Sequence, residues 1–168
     1  FRSHNGAALL AYLAYHLGRP NSREVLAELL WPWAPPGSGS TNLRIELAAL
    51  RRQLEPPGVA PGSVLCATRS HIELAHEAIS TDVKDFEHAL AEADRAQTET
   101  ERVALVRRAL ALYKGPLLPG HYHDWVVAEQ DRLAELHFQA ADWLVRALGE
   151  AGDTSGATHL ARRAVAAD

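Results

Sequence analysis

Clusters of proline and glycine punctuate this sequence before residue 63 and set where its elements can end. Proline lacks the amide proton that a helix uses and clashes with the preceding turn, so each cluster ends a helix. Gly18 and Pro20 close the segment 7–17, where Leu9, Leu10, Leu13, Ala14 and Leu17 recur at helical spacing. Asn21 stands three residues before Glu24, a variant of the capping box. It predicts a second helix over about 22–31 that buries Val25, Leu26, Leu29 and Leu30. The stretch 32–40 holds three prolines and two glycines and is expected to be irregular. Ser40 or Thr41 can then cap a third helix, about 41–55, which Pro56, Pro57 and Gly58 stop.

The pattern changes at 63–76. Val64, Leu65, Ile72 and Leu74 flank Thr68-Arg69-Ser70-His71, which predicts two short strands joined by a tight turn at 69–70. After Asp82 helical spacing returns. One helix over about 82–96 places Val83, Phe86, Ala89, Leu90 and Ala93 on one face, and a second over about 99–113 places Val103, Val106, Ala109, Leu110 and Tyr113 inside. Gly115-Pro116-Leu117-Leu118-Pro119-Gly120 is a turn. A long helix over about 123–149 follows, then Gly152-Asp153 and a last helix over about 154–166. Thirty Ala and 24 Leu agree with a mainly α chain.

Net charge of −4, from 17 basic against 21 acidic groups, argues against a generic nucleic-acid binder. The charge is unevenly distributed, however. Residues 1–76 carry seven Arg against five Glu, a balance of +2, and residues 77–168 carry ten basic against sixteen acidic groups, a balance of −6. Such a split predicts two modules, 1–76 and 77–168, with different partners. The single cysteine, Cys66, excludes a disulfide framework and fits a reducing, cytoplasmic compartment. No apolar run approaches the roughly 18–20 residues that span a bilayer, and Phe1 to Gly6 form no signal-peptide core. No membrane partner is therefore expected. The lack of methionine points to a fragment or processed piece.

The third predicted helix carries the most chemistry. On a helical wheel Leu43, Leu47, Leu50 and Leu54 form one narrow core stripe. Ile45, Ala48, Ala49 and Arg52 lie opposite, with Arg44 and Arg51 at the flanks. Arginine suits both bidentate contact with guanine edges and phosphate pairing. Small Ala48 and Ala49 would let the helix approach base edges or pack on a thymine methyl. Ser40, Thr41 and the first helical N–H groups suit a phosphate, and Arg69 at the hairpin tip suits another backbone contact. The same pattern also describes a surface helix with a solvated arginine face, and Glu46 weakens a phosphate-facing reading.

Three helices followed by a hairpin outline a winged helix-turn-helix. The series LLAYLAYHLGRPNSREVLAELLWPW, then NLRIELAALRRQLE, then the hairpin resembles the OmpR-type winged-helix domain, in the version found in SARP-type regulators, the Streptomyces antibiotic regulatory proteins. Leu30-Trp31-Pro32 and Leu50-Arg51-Arg52 are the diagnostic pieces. TDVKDFEHAL, ALALYKGPLLPG and DWVVAEQDRL resemble the bacterial transcriptional activator domain, and 141–168 resembles one tetratricopeptide-type repeat. That repeat packs through Ala141, Trp143, Leu144, Leu148, Gly152, Ala157, Ala161 and Ala164. The resemblance implies a sequence-specific activator that reads repeats in double-stranded promoter DNA. Its contacts would fall near Thr41, Arg44, Ile45, Ala48, Ala49 and Arg52, with the wing on phosphate. The helical-repeat half would mediate homodimerisation and contact with RNA polymerase. Two departures stand out: Ala48 and Ala49 occupy positions where polar or basic residues are frequent, and the small β-sheet that precedes the first helix in the family is absent.

Other readings carry less. His121, His123 and Asp124 invite a metal, but a zinc site needs three or four ligands and His71, His76, His88, His137 and His159 are scattered. No metal, cofactor or catalytic residue is therefore expected. Cys66 fits a small core position, and Trp31, Trp33, Trp125 and Trp143 fit packing. A protein-interaction scaffold with a degenerate winged helix remains the alternative, as does a piece of a larger regulator with an ATPase module downstream.

Overall fold

The computed structural model describes residues 3–166, with side chains to 162. The architecture is mainly α and divides into two compact units, 1–81 and 82–168. Phe1 and Arg2, and the side chain of the expected packing residue Ala164, lie outside the described part.

In the first unit, α1 (His4–Tyr15) begins at Ser3, whose hydroxyl accepts the Gly6 N–H at 2.9 Å. The helix α2 (Arg23–Leu30) is capped by Ser22, which accepts the Glu24 N–H at 3.2 Å. Asn21, the expected cap, instead belongs to a two-residue strand, β1 (Asn21–Ser22). Val25, expected in the core, is 53% exposed, because Leu26, Ala27 and Leu30 form the buried stripe. The hairpin is present as β2 (Leu65–Ala67) and β3 (His71–Leu74), paired Leu65 to Leu74 and Ala67 to Ile72. β1 pairs with the other edge of β3, Asn21 opposite Ile72, giving the antiparallel order β1-β3-β2. A strand of two residues has no alternation to read, so periodicity could not announce it.

The third helix, α3 (Ser38–Leu54), starts earlier than composition suggests. Residues 38–40 are helical, not irregular. Gly37 caps the helix in the left-handed region at φ 80°, which glycine adopts without strain. Gly39 then rests on α2, where a Cβ would already be in contact with Ala27 at 3.5 Å. Ser40 and Thr41 therefore lie inside the first turn and do not cap it, and the Thr41 hydroxyl donates to the Gly37 carbonyl at 3.4 Å. Leu43, Leu47 and Leu50 are buried with Leu9, Leu13, Leu26, Leu30, Leu65, Ile72 and Leu74 in one apolar core. Each such side chain contributes about 1.5–3 kcal/mol on burial.

The second unit comprises α4 (Asp82–Arg95), α5 (Glu99–Leu112), α6 (Asp124–Glu150) and α7 (Thr154–Ala166). Thr98 caps α5 by accepting the Glu101 N–H, and the Glu101 carboxylate returns to the Gln97 N–H at 3.1 Å. Phe86, Ala89, Ala109 and Leu133 form one core cluster, and Ala93, Val106, Leu110, Ala140, Ala141, Leu144 and Leu148 another. Trp143, Ala157 and Leu160 pack against the second cluster. Gly152, at φ 81°, ends α6, and Asp153 caps α7 by accepting the Gly156 N–H at 2.8 Å.

Candidate nucleic-acid interface

The leucine stripe of α3 fixes which residues face outward, because the opposite side of a helix cannot reach the same core. Ser40, Thr41, Arg44, Ile45, Ala48, Arg51 and Arg52 are exposed, and Ala49 is half-buried. Ile45 is 61% exposed, unusually open for a branched aliphatic residue. Arg44, Arg52 and Arg69 make no ion pair or hydrogen bond among the described residues, and all three guanidiniums are open to solvent.

Arg51 behaves differently. It reaches the Leu65 carbonyl at 3.4 Å and lies 3.5 Å from the Glu55 carboxylate. Glu55 just follows α3, and its side chain is only 2% exposed. One carboxylate oxygen accepts the Val64 N–H at 3.0 Å and the Leu65 N–H at 2.9 Å, pinning the start of β2 to the end of α3. The N–H groups of Gly62, Leu65 and Val64, with Arg51 adding its charge, hold the carboxyl below its ordinary 4.5 against the upward push of burial. Arg51 and Glu55 thus join α3 to the hairpin.

Glu46 is turned away from the exposed arginines. It accepts the Ser3 hydroxyl at 2.6 Å, at the N-terminus of α1, where a negative charge is favoured. A Cβ on Gly6 would stand 2.6 Å from this carboxylate, so glycine permits the approach.

The hairpin turn holds Arg69 between Thr68 and Ser70. Its geometry comes from α2 as well as from the hairpin itself. Arg23 Nε donates to the Thr68 carbonyl at 2.9 Å, and the Arg23 backbone N–H donates to the Ser70 carbonyl at 2.9 Å. Thr68 also accepts the His71 N–H on its hydroxyl at 3.0 Å. Sequence reasoning missed Arg23, Glu55 and the inward role of Glu46, since each partner lies 9 or more residues away.

Two corrections concern apolar residues. Trp33, expected to pack, is 94% exposed in the connection between α2 and α3, which Pro32, Pro35 and Pro36 keep out of helix. Cys66 is half-buried, because it faces opposite to Leu65 on β2, and its thiol contacts the Gly62 carbonyl at 3.1 Å. Trp31 does pack against the first core.

In the second unit a groove of about 200 Å³ lies among α4, α5 and α6. Arg102 lies over the Trp143 ring at 4.3 Å and 3.7 Å from Asp94. A second cleft, about 370 Å³, sits beneath the strap 113–119 on Val83, Phe86 and Leu133. Gln130 holds the strap by donating to the Leu117 carbonyl. His137 stacks on Tyr113 at 4.3 Å, where the strap begins.

Residues 81–168, more than half of the chain, match the bacterial transcriptional activator domain, and the chain belongs to that family. The family is regulatory rather than enzymatic. No curated protein matches the chain. No described helix is long and apolar enough to cross a membrane.

Proposed function

We propose that the chain is a SARP-type transcriptional activator whose first unit is a winged helix-turn-helix reading double-stranded promoter DNA. In this reading α3 enters the major groove and the β2–β3 turn lies on the backbone. The observation that carries it is the outward face of α3, where Arg44 and Arg52 stand around small Ala48 without a partner among the described residues, while Glu46 is drawn back to Ser3. Arg44 and Arg52 are assigned to base or phosphate contacts, Ile45, Ala48 and Ala49 to apolar contact with base edges, and Ser40, Thr41 and Arg69 to the backbone. Arg51 serves chiefly as the brace between helix and hairpin, with one face left for phosphate. The second unit, a tetratricopeptide-like helical stack, is assigned to homodimerisation and contact with RNA polymerase.

The test is a selection of bound duplexes from random sequence on the intact chain, followed by titration of Arg52→Ala on the selected site. A base contact predicts a loss of about 1–3 kcal/mol and relaxed specificity at one position. Unchanged affinity removes Arg52 from the interface. Exposed Ile45 and the thin alanine face favour a second reading, an interaction scaffold that has lost DNA. Salt separates them: phosphate contacts make affinity fall steeply with ionic strength, and a scaffold has no such duplex affinity to lose.

A further inference from the structure

We infer that Arg23 is the positioning residue of the β2–β3 turn, holding it in the one conformation that presents Arg69; the consequence for DNA rests on the reading above. Arg69 is flanked by Thr68 and Ser70, and the carbonyls of both neighbours are held by the same residue. The Arg23 backbone N–H takes Ser70, and its side-chain Nε takes Thr68, each at 2.9 Å. One anchor would leave the turn free to pivot about that bond. Two anchors on either side of Arg69 fix its orientation as well as its place.

The device depends on β1. Asn21 and Ser22 pair with Ile72 and His71, which brings the start of α2 alongside the hairpin tip. Ser22 then caps α2, so that Arg23 takes the first helical position with its backbone N–H still available to the turn. The turn itself has little else to hold it. Thr68, Arg69, Ser70 and His71 are all exposed, and the hydrogen bonds within the turn are local ones involving Thr68 and Ser70. Main-chain hydrogen bonding by Arg23 survives most substitutions, whereas the Thr68 anchor needs the guanidinium. This makes the side chain separable from the fold.

The test uses Arg23→Ala in the full chain. Amide exchange at Thr68 and Ser70 should quicken by about three- to ten-fold, the size of one net hydrogen bond, while exchange at Leu47 in α3 stays as in the parent. Unchanged exchange in the turn overturns the proposal. Faster exchange spreading through Leu65 and Leu74 also overturns it, since Arg23 would then support the sheet and not the turn. A second measurement pairs Arg23→Ala with Arg69→Ala on a duplex of arbitrary sequence, because a backbone contact needs no particular site. The double variant should bind no more weakly than the weaker single one. Fully additive losses overturn the aiming role. A parent chain without duplex affinity refutes the DNA reading, and the exchange data still decide whether Arg23 anchors the turn.

Discussion

Glu55→Gln isolates the joint between α3 and the hairpin, because it keeps the side chain's shape and removes its charge. Its acceptor oxygen serves two backbone N–H groups, Val64 at 3.0 Å and Leu65 at 2.9 Å, on a side chain that is 2% exposed. Hydrogen bonds to an ionised acceptor are roughly twice as strong as neutral ones, so two of them made neutral cost about 2 kcal/mol at neutral pH. In a unit of this size that lowers its melting temperature by about 8–16 °C. The pH dependence is a stricter check. The folded carboxyl titrates below its ordinary 4.5, so the unfolded chain binds more protons in that interval and stability rises with pH. The contribution is complete above about pH 4.5, and it fades as pH falls through the folded value. Urea titrations followed by the NMR signals of Leu65 and Ile72 report this unit within the intact chain. The gap between parent and Glu55→Gln should be widest at neutral pH and should close on acidification. Equal midpoints at neutral pH, or a gap that persists unchanged into acid, would refute the argument that the ionised carboxylate braces the hairpin.

Core truncation by Leu47→Ala should destabilise the first unit by about 2–5 kcal/mol, since Leu47 is 6% exposed within its apolar core; the same urea titration reads it. Arg69→Ala should lower duplex affinity evenly across sequences and reduce the slope of log affinity against log salt by about 1, measured by fluorescence anisotropy. Thr98→Ala removes the cap of α5 and should cost about 1 kcal/mol, read from signals of Val106 and Leu110 in the second unit.

The helices were legible because apolar residues repeat at helical spacing, and in the first unit prolines follow each helix. Leu43, Leu47 and Leu50 on α3 and Phe86, Ala89 and Ala93 on α4 are buried as that spacing demands. The hairpin was legible from a turn-forming quartet between apolar pairs, and it closes between Ala67 and His71. What composition obscured was the start of α3. Ser38, Gly39 and Ser40 look like loop, yet they form the first turn of α3, and Gly39 lies against Ala27 of α2. Tertiary packing overrides local propensity there. The contacts that position the candidate site were hidden for a different reason. Ser3 to Glu46, Arg23 to Thr68 and Glu55 to Val64 join residues whose neighbours in sequence give no sign of the partner. Residue type told which groups could bind phosphate, but not which of them the fold would use internally.

That distinction bears on the charge itself. A formal balance of +2 over residues 1–76 is a weak footprint for a polyanion. Counting by role gives a different figure around α3. The carboxylates of Glu46 and Glu55 are engaged by Ser3 and by the backbone of β2, so neither opposes a phosphate on the outward face. Arg51 is partly balanced by Glu55, and Arg23 is engaged by Thr68. Arg44, Arg52 and Arg69 remain, each exposed and each without an internal partner among the described residues. Each unpaired cation that meets a phosphate releases about one counterion, so a contact made by all three would give a log–log salt slope near −3. Such a slope is shallow for an intact regulator. Tight promoter binding by one chain would then need base contacts from α3, or a second copy bound on an adjacent repeat to double the count. On the proposed DNA reading, the modest charge around α3 predicts paired binding on repeated sites in preference to a lone chain on one site.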